Sequence, residues 1–374
     1  MGRPACPKRT RSRRSGRSSK ALPLLNTSDF DYDLPPERIA QRPAATRDLS
    51  RLLALDRLTG AIRHLGFRDL PSLLRPGDLL IVNDTRVIPA RLFGTLRREG
   101  ADREIELLLL REEPGVSPER IWSALARPAR ALRAGASLSF VDPAYAATVL
   151  STGERGVRHV AFRPASADAP PFEAWLSRVG HVPLPPYIER PDEPEDRERY
   201  QTVFARESGS VAAPTAGLHF TVGTLAALGA AGVALAAVTL HVGPGTFRPV
   251  ATEDPAQHVL DPEPYRVPPE TAAAIAGKRG RVIAVGTTSV RALESWARDG
   301  RSADGAWRET GLLILPPYGF RVVEGMVTNF HLPRSSLLML VSALAGRERV
   351  LAAYREAVRA RYRFYSYGDA MLIE

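Results

Sequence analysis

Hydrophobic and polar positions along the chain follow two different patterns. From about residue 77 to residue 163, short apolar runs such as "EIELLLL" and "VRHVAF" alternate with turns rich in Gly, Pro and Asp. Short strands at such close spacing are typical of a small antiparallel barrel or sandwich. After about residue 171, helix-like segments alternate with continuous apolar runs such as "RVIAVG". This second pattern predicts an α/β layered sheet.

The elements of the second region can be placed individually. The N-terminal segments "FDYDLPPERIA" and "RLLALDR" have no partners nearby in the chain, so we expect them to join the α/β domain. The sequence therefore predicts an α/β fold in which a larger α/β layered domain (26–75 and 165–374) carries an inserted small antiparallel β-barrel domain (76–164). Helices are predicted at 221–232, 268–280, 289–300 and 335–346, and strands at 233–242, 281–286, 311–316 and 326–332.

The net charge changes this picture only at the N-terminus. The chain has a net charge of +10, but residues 1–20 hold eight Lys and Arg and no acid, which leaves +2 on the rest. This stretch lacks the apolar segment of a secretory signal. We expect residues 1–25 to be a disordered basic tail. A nucleic-acid-binding arm, a solvated extension and a misassigned start codon all fit, and composition alone favours disorder over binding.

Composition narrows the class of protein. The longest apolar runs, such as "LLMLVSALAG" (337–346), are too short to span a bilayer, so no membrane partner is expected. Cys6 is the single cysteine, which excludes a disulfide framework and a thiolate metal cluster and fits a cytoplasmic protein. A zinc site is open to four histidines, but their spacing matches no zinc motif, so we expect no metal. These four are His219, His241, His258 and His331.

Polar side chains cluster in four segments at the ends of predicted strands. In open α/β sheets, ligands bind beyond the carboxyl ends of the strands. Four segments placed in this way predict one composite site rather than four unrelated turns. Their candidate residues are Asp84, Thr85 and Arg86; Pro214, Thr215, Gly217 and His219; His241 and Thr246; and Asn329 and His331.

A fifth candidate is the junction "VIAVGTTSVRALES" (282–295). A buried strand is predicted to end at Gly286, and Thr287, Thr288 and Ser289 open a helix. The free N–H groups and positive dipole of a helix N-terminus attract carboxylate or phosphate. Ordinary capping by Thr or Ser explains the same residues. The glycine pattern matches neither a Walker loop nor a dinucleotide fingerprint.

The C-terminal stretch "YRFYSYGDAML" (362–372) is rich in aromatic residues, among them Tyr365 and Tyr367. They either pack a C-terminal strand into the core or offer a stacking surface for a nucleic-acid base.

These segments, taken in order, resemble one family, the S-adenosylmethionine:tRNA ribosyltransferase-isomerases of queuosine biosynthesis. The similarity runs from about Phe30 to Ile373. One departure is visible, because the family's H-x-M-H-x-E stretch reads "HVLDPE" (258–263), with Asp261 in place of the second histidine. The similar blocks are "VNDTRVIPARL", "GHVPLPPYIERPDEPEDRERYQTVFA", "GSVAAPTAGLHFT", "TLHVGPGTF", "RVIAVGTTSVRALES", "VTNFHLPRSSLLMLVSALAG" and "YRFYSYGDAML".

The resemblance implies a reaction and a fold. The family moves the ribosyl part of S-adenosylmethionine onto the aminomethyl group of 7-aminomethyl-7-deazaguanine at the tRNA wobble position. The products are epoxyqueuosine in tRNA, adenine and methionine. S-adenosylmethionine is then a co-substrate, tRNA the partner, and no metal is required. Its members resemble the predicted α/β domain with an inserted barrel, and we expect a monomer.

The resemblance also implies roles for the candidate residues. The sulfonium acidifies the C5′ protons, so a neutral imidazole can start the rearrangement. We expect His219 to be this base, with Thr215 as a hydrogen-bonding group beside it, and His241 and His331 as competitors. The other candidates are assigned to S-adenosylmethionine (Pro214, Gly217, Gly286, Thr287, Thr288, Ser289, Arg291 and Asn329) and to the tRNA nucleotide (Asp84, Thr85, Arg86, Thr246, Tyr365 and Tyr367).

Two other functions fit parts of the sequence. An S-adenosylmethionine methyltransferase would share the co-substrate, but the usual glycine-rich loop after the first strand is absent. A non-catalytic RNA-binding module would use the barrel and the tail, but it leaves the polar segments of the α/β domain unexplained.

Deletion of residues 1–20 is expected to leave turnover unchanged at saturating tRNA. Eight positive charges raise affinity for a polyanion, and this gain fades as salt rises. The measurement is the tRNA concentration dependence of turnover at two salt concentrations. Lost turnover at saturation would show instead that the tail belongs to the site.

Overall fold

The structure is a computed structural model that describes residues 1–2, 25–97, 102–113, 119–243, 245 and 250–374. The expected disordered tail thus lies outside the described residues, except for Met1, Gly2 and Leu25. Thr246 also lies outside them.

The strands form one large sheet, one barrel and one short pair. They are β1 (Arg51–Leu55), β2 (Ile62–Gly66), β3 (Leu79–Asn83), β4 (Thr85–Val87), β5 (Arg91–Leu96), β6 (Arg103–Glu113), β7 (Arg120–Arg127), β8 (Ser137–Ser139), β9 (Tyr145–Thr152), β10 (Val157–Pro164), β11 (Glu207–Ser210), β12 (Ala234–Leu240), β13 (Glu263–Arg266), β14 (Val282–Val285), β15 (Arg308–Thr310), β16 (Gly325–Asn329) and β17 (Ala370–Ile373).

Helices cover both faces of the large sheet. The described α-helices are α1 (Leu70–Leu73), α2 (Phe172–Val179), α3 (Asp196–Arg199), α4 (Val222–Ala230), α5 (Pro269–Ala276), α6 (Gly286–Arg298), α7 (Ser336–Ala345) and α8 (Arg347–Arg359). Residues of α5, α6, α7 and α8 share the core of one face, and α1 and α4 pack on the other.

Within the described residues, the large sheet has the strand order β15-β13-β12-β3-β14-β16-β17-β1-β2. Its centre is parallel, and its outer pairs, such as β1 with β2 and β12 with β13, are antiparallel. All residues of β3, β14 and β16 are buried, as expected for strands covered by helices on both faces. The N-terminal segment joins this sheet through β1, which pairs in parallel with β17.

The barrel is closed in the order β10-β7-β6-β5-β8-β9, and its pairs are antiparallel. Burial alternates along β6 and β7, so every second side chain fills the interior. Helix α2 follows the last barrel strand and adds Phe172, Trp175 and Leu176 to the same core. The predicted fold class, an α/β domain with a small antiparallel barrel, is confirmed.

The structure corrects the predicted start of the insert at residue 76. The run "LLIVN" is strand β3 in the middle of the large sheet, and the barrel strands span residues 91–164. In the sequence this run resembles the barrel strands that follow it. Its continuous apolar character, without alternation, is the mark of a strand buried on both faces.

Two further elements differ from the sequence prediction. Residues 311–316 form no strand; at Leu312 the carbonyl accepts from Nε of Arg291 and the N–H donates to Oγ1 of Thr310. Helix α8 was not predicted, although its buried residues, such as Val350, Tyr354 and Ala357, recur at helical spacing.

Within the described part of the chain, no helix combines the length and the apolar character that a membrane crossing requires.

A buried carboxylate fixes α6 against the rest of the fold. Glu294 is fully buried and accepts hydrogen bonds from the backbone N–H groups of Arg321, Val322 and Val323. These three groups lie just before β16, so Glu294 connects the helix to the segment that leads into this strand. The position of α6 matters because its first residues reach the site described below.

Glu294→Ala is expected to lower the free energy of unfolding by about 3 kcal/mol or more, because it leaves three backbone N–H groups without a partner, two of them in buried hydrogen bonds. Glu270→Ala on the exposed face of α5 is the control and should cost less than about 1 kcal/mol. Urea unfolding gives both values from the midpoint and slope. Equal effects in the two variants would contradict this role of Glu294.

Candidate active site

Four parallel strands bring their carboxyl ends together at one edge of the large sheet. Strands β12, β3, β14 and β16 lie side by side and run in the same direction. Their ends carry the polar segments predicted from the sequence, because β3 ends at Asn83, β14 leads into Gly286 and β16 ends at Asn329. This edge is where open α/β sheets bind ligands.

Asn83 connects three of these strand ends. Its Nδ2 donates to the carbonyl of Leu240 and to Oγ1 of Thr288, at 2.9 and 3.2 Å. Its Oδ1 accepts from the backbone N–H groups of Thr85 and Leu240. The ends of β3 and β12 and the start of α6 are thus held together by one buried amide.

Two cavities lie along this edge. The larger has a volume of about 960 Å³ and extends between the barrel and the sheet, and Val242 lines both it and a narrow cavity of about 70 Å³. The narrow cavity collects eight of the residues predicted for the site. They are Pro214, Thr215, Gly286, Thr287, Thr288, Asn329, His331 and Tyr365.

The N-terminus of α6 forms one wall of the narrow cavity. Gly286 adopts a φ of +85°, a conformation that a residue with a side chain rarely takes. Helix α6 has no side-chain cap, so no capping side chain accepts a hydrogen bond from its first backbone N–H groups. This placement supports the ligand-binding interpretation of the junction over ordinary capping.

His219 is enclosed in a hydrogen-bond chain. The ring Nδ1 lies 2.8 Å from Oγ of Ser50, and Nε2 lies 3.0 Å from Nδ2 of Asn329. Phe67 packs against the ring. Burial, with the charges of Arg363 and Arg47, lowers the pKa of His219 to about 3. Both ring nitrogens are therefore already in hydrogen bonds.

The lining of the narrow cavity also contains two buried polar atoms without partners among the described residues. They are Oδ1 of Asn329 and Oη of Tyr365. Tyr365 also has a φ of +72°, which is uncommon for a residue with a side chain and concentrates at functional sites. Unpaired buried polar atoms are costly, so these two are candidates for hydrogen bonds to a ligand.

His331 also lines the narrow cavity. Its Nε2 is 2.8 Å from Oγ1 of Thr328, and its backbone carbonyl accepts a hydrogen bond from Tyr32. Burial lowers the pKa of His331 to about 3. The ring is therefore neutral at pH 7.

His241 faces the larger cavity. Its Nδ1 lies 2.7 Å from Oγ1 of Thr85, and its ring stacks on Trp307 at 4.9 Å. Burial is the main cause that lowers the pKa of His241 to about 4. Arg86 lines the same cavity and its side chain is exposed.

Other candidate residues have their hydrogen bonds or packing elsewhere. Arg291 lines the larger cavity but is buried in an ion pair with Glu263. Asp84 accepts from Thr239 and pairs with Arg206, and burial raises its pKa. Ser289 donates to the carbonyl of Val285 at the end of β14, Gly217 packs closely on Phe204 and Thr202, and Tyr367 donates to Asp196.

The described residues contain no group of three or more side chains that could hold a metal ion. The four histidines considered for zinc do not form such a group there.

Several residues of this edge were missed by sequence reasoning. Ser50 and Trp307 lie far from the predicted segments in the chain, so no local pattern indicates them. Tyr187, which packs on Tyr365 with ring centroids 4.1 Å apart, lies in a proline-rich stretch with no periodicity. Asn83, by contrast, stands within a predicted segment, and its position at a strand end was an available signal.

Comparison with known proteins gives one family. A family model described as queuosine biosynthesis protein matches residues 27–373. A curated S-adenosylmethionine:tRNA ribosyltransferase-isomerase from Citrifermentans bemidjiense is 53% identical, over 92% of this chain and 99% of that protein. One of the same name from Symbiobacterium thermophilum is 52% identical, over 93% of this chain and 100% of that protein.

A solved structure shows the same relationship. The crystal structure of S-adenosylmethionine tRNA ribosyltransferase from Thermotoga maritima is 40% identical and covers 93% of this chain and 100% of that chain, with a TM-score of 0.50. With sequence similarity over almost its whole length, the chain belongs to the queuosine biosynthesis family of S-adenosylmethionine:tRNA ribosyltransferase-isomerases.

Proposed function

We propose that this enzyme carries out ribosyl transfer and isomerisation from S-adenosylmethionine to tRNA at the carboxyl edge of its large sheet. The ribosyl part is transferred to the aminomethyl group of 7-aminomethyl-7-deazaguanine, and adenine and methionine are released. The observation that carries the assignment of the site is the narrow cavity, which is lined both by the start of α6 and by two residues with unpartnered polar atoms.

The start of α6 is suited to the carboxylate of the methionine part. Backbone N–H groups and the positive helix end attract a carboxylate. Thr288 adds a further donor, because Asn83 donates to its Oγ1 and leaves the hydroxyl proton free for the ligand.

His331 is our candidate for the group that removes the C5′ proton. It lines the same cavity as the α6 N-terminus, and its low pKa keeps the ring neutral. His219, which the sequence favours, has both nitrogens in hydrogen bonds and does not line either cavity of this edge. His241 is the competing candidate for the base, since it lines the larger cavity beside Val242.

The larger cavity is suited to the modified nucleotide of tRNA. Its volume of about 960 Å³ is at the upper end of ordinary ligand pockets. Arg86 offers an exposed guanidinium for a phosphate. Trp307 is 45% exposed beside His241, with Arg266 over its ring, and presents an aromatic face for an anticodon base.

The same proposal includes the setting of the enzyme. It is a monomer and, because its substrate is tRNA, a cytoplasmic enzyme.

The test of the reaction is incubation with methyl-labelled S-adenosylmethionine and tRNA that carries 7-aminomethyl-7-deazaguanine. We expect the label to leave as methionine, with one adenine released for each ribosyl group transferred. Methyl label in tRNA would indicate a methyltransferase, and the absence of turnover would indicate a binding module.

Thr288→Val is expected to weaken S-adenosylmethionine binding by about 1.5–3 kcal/mol, because it removes a hydrogen bond to a charged group. Thr271→Val is the matched control, since Thr271 is likewise the third residue of its helix but donates to the carbonyl of Ala237. Thr271→Val should lower the free energy of unfolding by about 1 kcal/mol and leave the affinity for S-adenosylmethionine unchanged. Equal affinity losses, measured by calorimetry beside thermal unfolding, would contradict the assignment.

His331→Gln is expected to retain S-adenosylmethionine binding and to lose about 10²–10⁴-fold in C5′ deuterium exchange and adenine release. Because the folded pKa is about 3, His331 stays unprotonated from pH 5 to 8 and should add no titration near pH 6.5 to the rate profile. His64→Gln, on the outer strand β2, is the control. If exchange persists in His331→Gln and is lost in His241→Gln, the base is His241.

A further inference from the structure

The orientation of the Asn329 side chain follows from its neighbours. Its amide nitrogen lies 3.0 Å from the carbonyl oxygen of Tyr365, and a carbonyl can only accept a hydrogen bond. Nδ2 must therefore face this carbonyl. The same nitrogen lies 3.0 Å from Nε2 of His219, so that ring nitrogen is the acceptor.

This requirement fixes the tautomer of His219. If Nε2 accepts, Nδ1 carries the proton and donates to Oγ of Ser50, which in turn donates to the carbonyl of Arg47. Every donor in the chain then meets an acceptor. Protonation of Nε2 would set two donors against each other, and the burial of His219 opposes that protonation. The imidazole thus holds the Asn329 amide in one orientation.

In this arrangement the amide oxygen of Asn329 has no hydrogen-bond partner among the described residues. Asn329 is 2% exposed and lines the narrow cavity. Oη of Tyr365, in the same lining, is unpartnered as well. Burial raises the pKa of Tyr365, so its phenol keeps its proton and its oxygen can still accept. An amide oxygen can only accept, so the ligand must present a donor here.

The lining of the cavity is therefore complementary to a zwitterion. Gly286, Thr287 and Thr288 offer donors and the positive end of a helix. Asn329 and Tyr365, in the same lining, offer acceptor oxygens. An α-amino acid carries a carboxylate and an ammonium group on one carbon, which matches donors and acceptors in a narrow space. A cavity of about 70 Å³ suits such an end better than a nucleoside.

We infer that Asn329 and Tyr365 bind the α-ammonium group of the methionine part of the co-substrate, and that His219 is a positioning residue that orients Asn329. The inference rests on the proposed function, because it assigns the amino-acid end of S-adenosylmethionine to this cavity. It also gives His219 a role that does not involve transfer of a substrate proton.

The test uses three ligands with the full chain. They are S-adenosylmethionine, its decarboxylated form and an analogue that lacks the α-amino group, and dissociation constants are measured by calorimetry. The native enzyme should bind each truncated ligand at least about 10-fold more weakly. Tyr365→Phe should lose most of the preference for the amino group and keep the preference for the carboxylate. Thr288→Val should show the reverse pattern.

Tyr365→Phe is the cleanest variant, because the lost oxygen has no partner among the described residues and its removal leaves no other group unpaired. For the positioning role, His219→Leu removes the acceptor of the Asn329 amide and should reduce the preference for the amino group. His219→Gln supplies an acceptor and a donor again and should restore most of it, together with C5′ exchange.

Two results would overturn the inference: a native enzyme that binds the deaminated analogue as tightly as S-adenosylmethionine, or a Tyr365→Phe variant with an unchanged preference. Loss of C5′ exchange in His219→Gln with an intact preference would return the role of base to His219. Adenine release by the native enzyme is measured in parallel. If it occurs while the preference for the amino group is absent, the inference fails and the proposed function stands; if it does not occur, the proposed function fails.

Discussion

The parallel alignment of β12, β3, β14 and β16 is the constraint on which the site depends. It brings segments that lie as much as about 250 residues apart in sequence to one edge, where the backbone groups beyond the strand ends need partners. The amide of Asn83 meets this need for β3, β12 and α6. Glu294 holds the same helix from its other end. The position of the α6 N-terminus follows from these two buried side chains.

Buried hydrogen bonds also separate the polar groups that are satisfied within the protein from those that are not. At this edge, the side chains of Asn83, His219 and Arg291 have their hydrogen-bond or ion-pair partners within the protein. Oδ1 of Asn329 and Oη of Tyr365 do not, among the described residues. A fold seldom retains such atoms at a packed wall, because each costs about 1–3 kcal/mol when unpaired. A ligand that supplies donors removes this cost on binding.

Much of the fold could be predicted from the sequence because each layer has its own periodicity. The alternation in the barrel strands and the continuous apolar run of β14 both correspond to observed burial. The boundary at β3 could not be placed, since a five-residue apolar run has no periodicity that separates a central strand from a barrel strand. The position of the candidate site at the carboxyl edge of the sheet was also predictable, because the polar segments directly follow apolar strands in the sequence.

The roles of individual residues were less predictable. An imidazole in a shaped turn suggests a base, and only the distances to Ser50 and Asn329 show that both nitrogens of His219 are engaged. Arg291 likewise suggests an anion site until its ion pair with Glu263 is seen. Such roles depend on partners distant in sequence, which no local pattern contains. Residue type predicts the chemistry available, and tertiary contacts decide where it is used.

A crystal structure with S-adenosylmethionine bound tests this site most directly. We expect the methionine part in the narrow cavity, with its carboxylate at the start of α6 and its ammonium group within about 3 Å of Oδ1 of Asn329. The nucleoside should extend past Val242 toward the larger cavity. A co-substrate bound with its methionine part away from α6 and Asn329 would contradict this assignment.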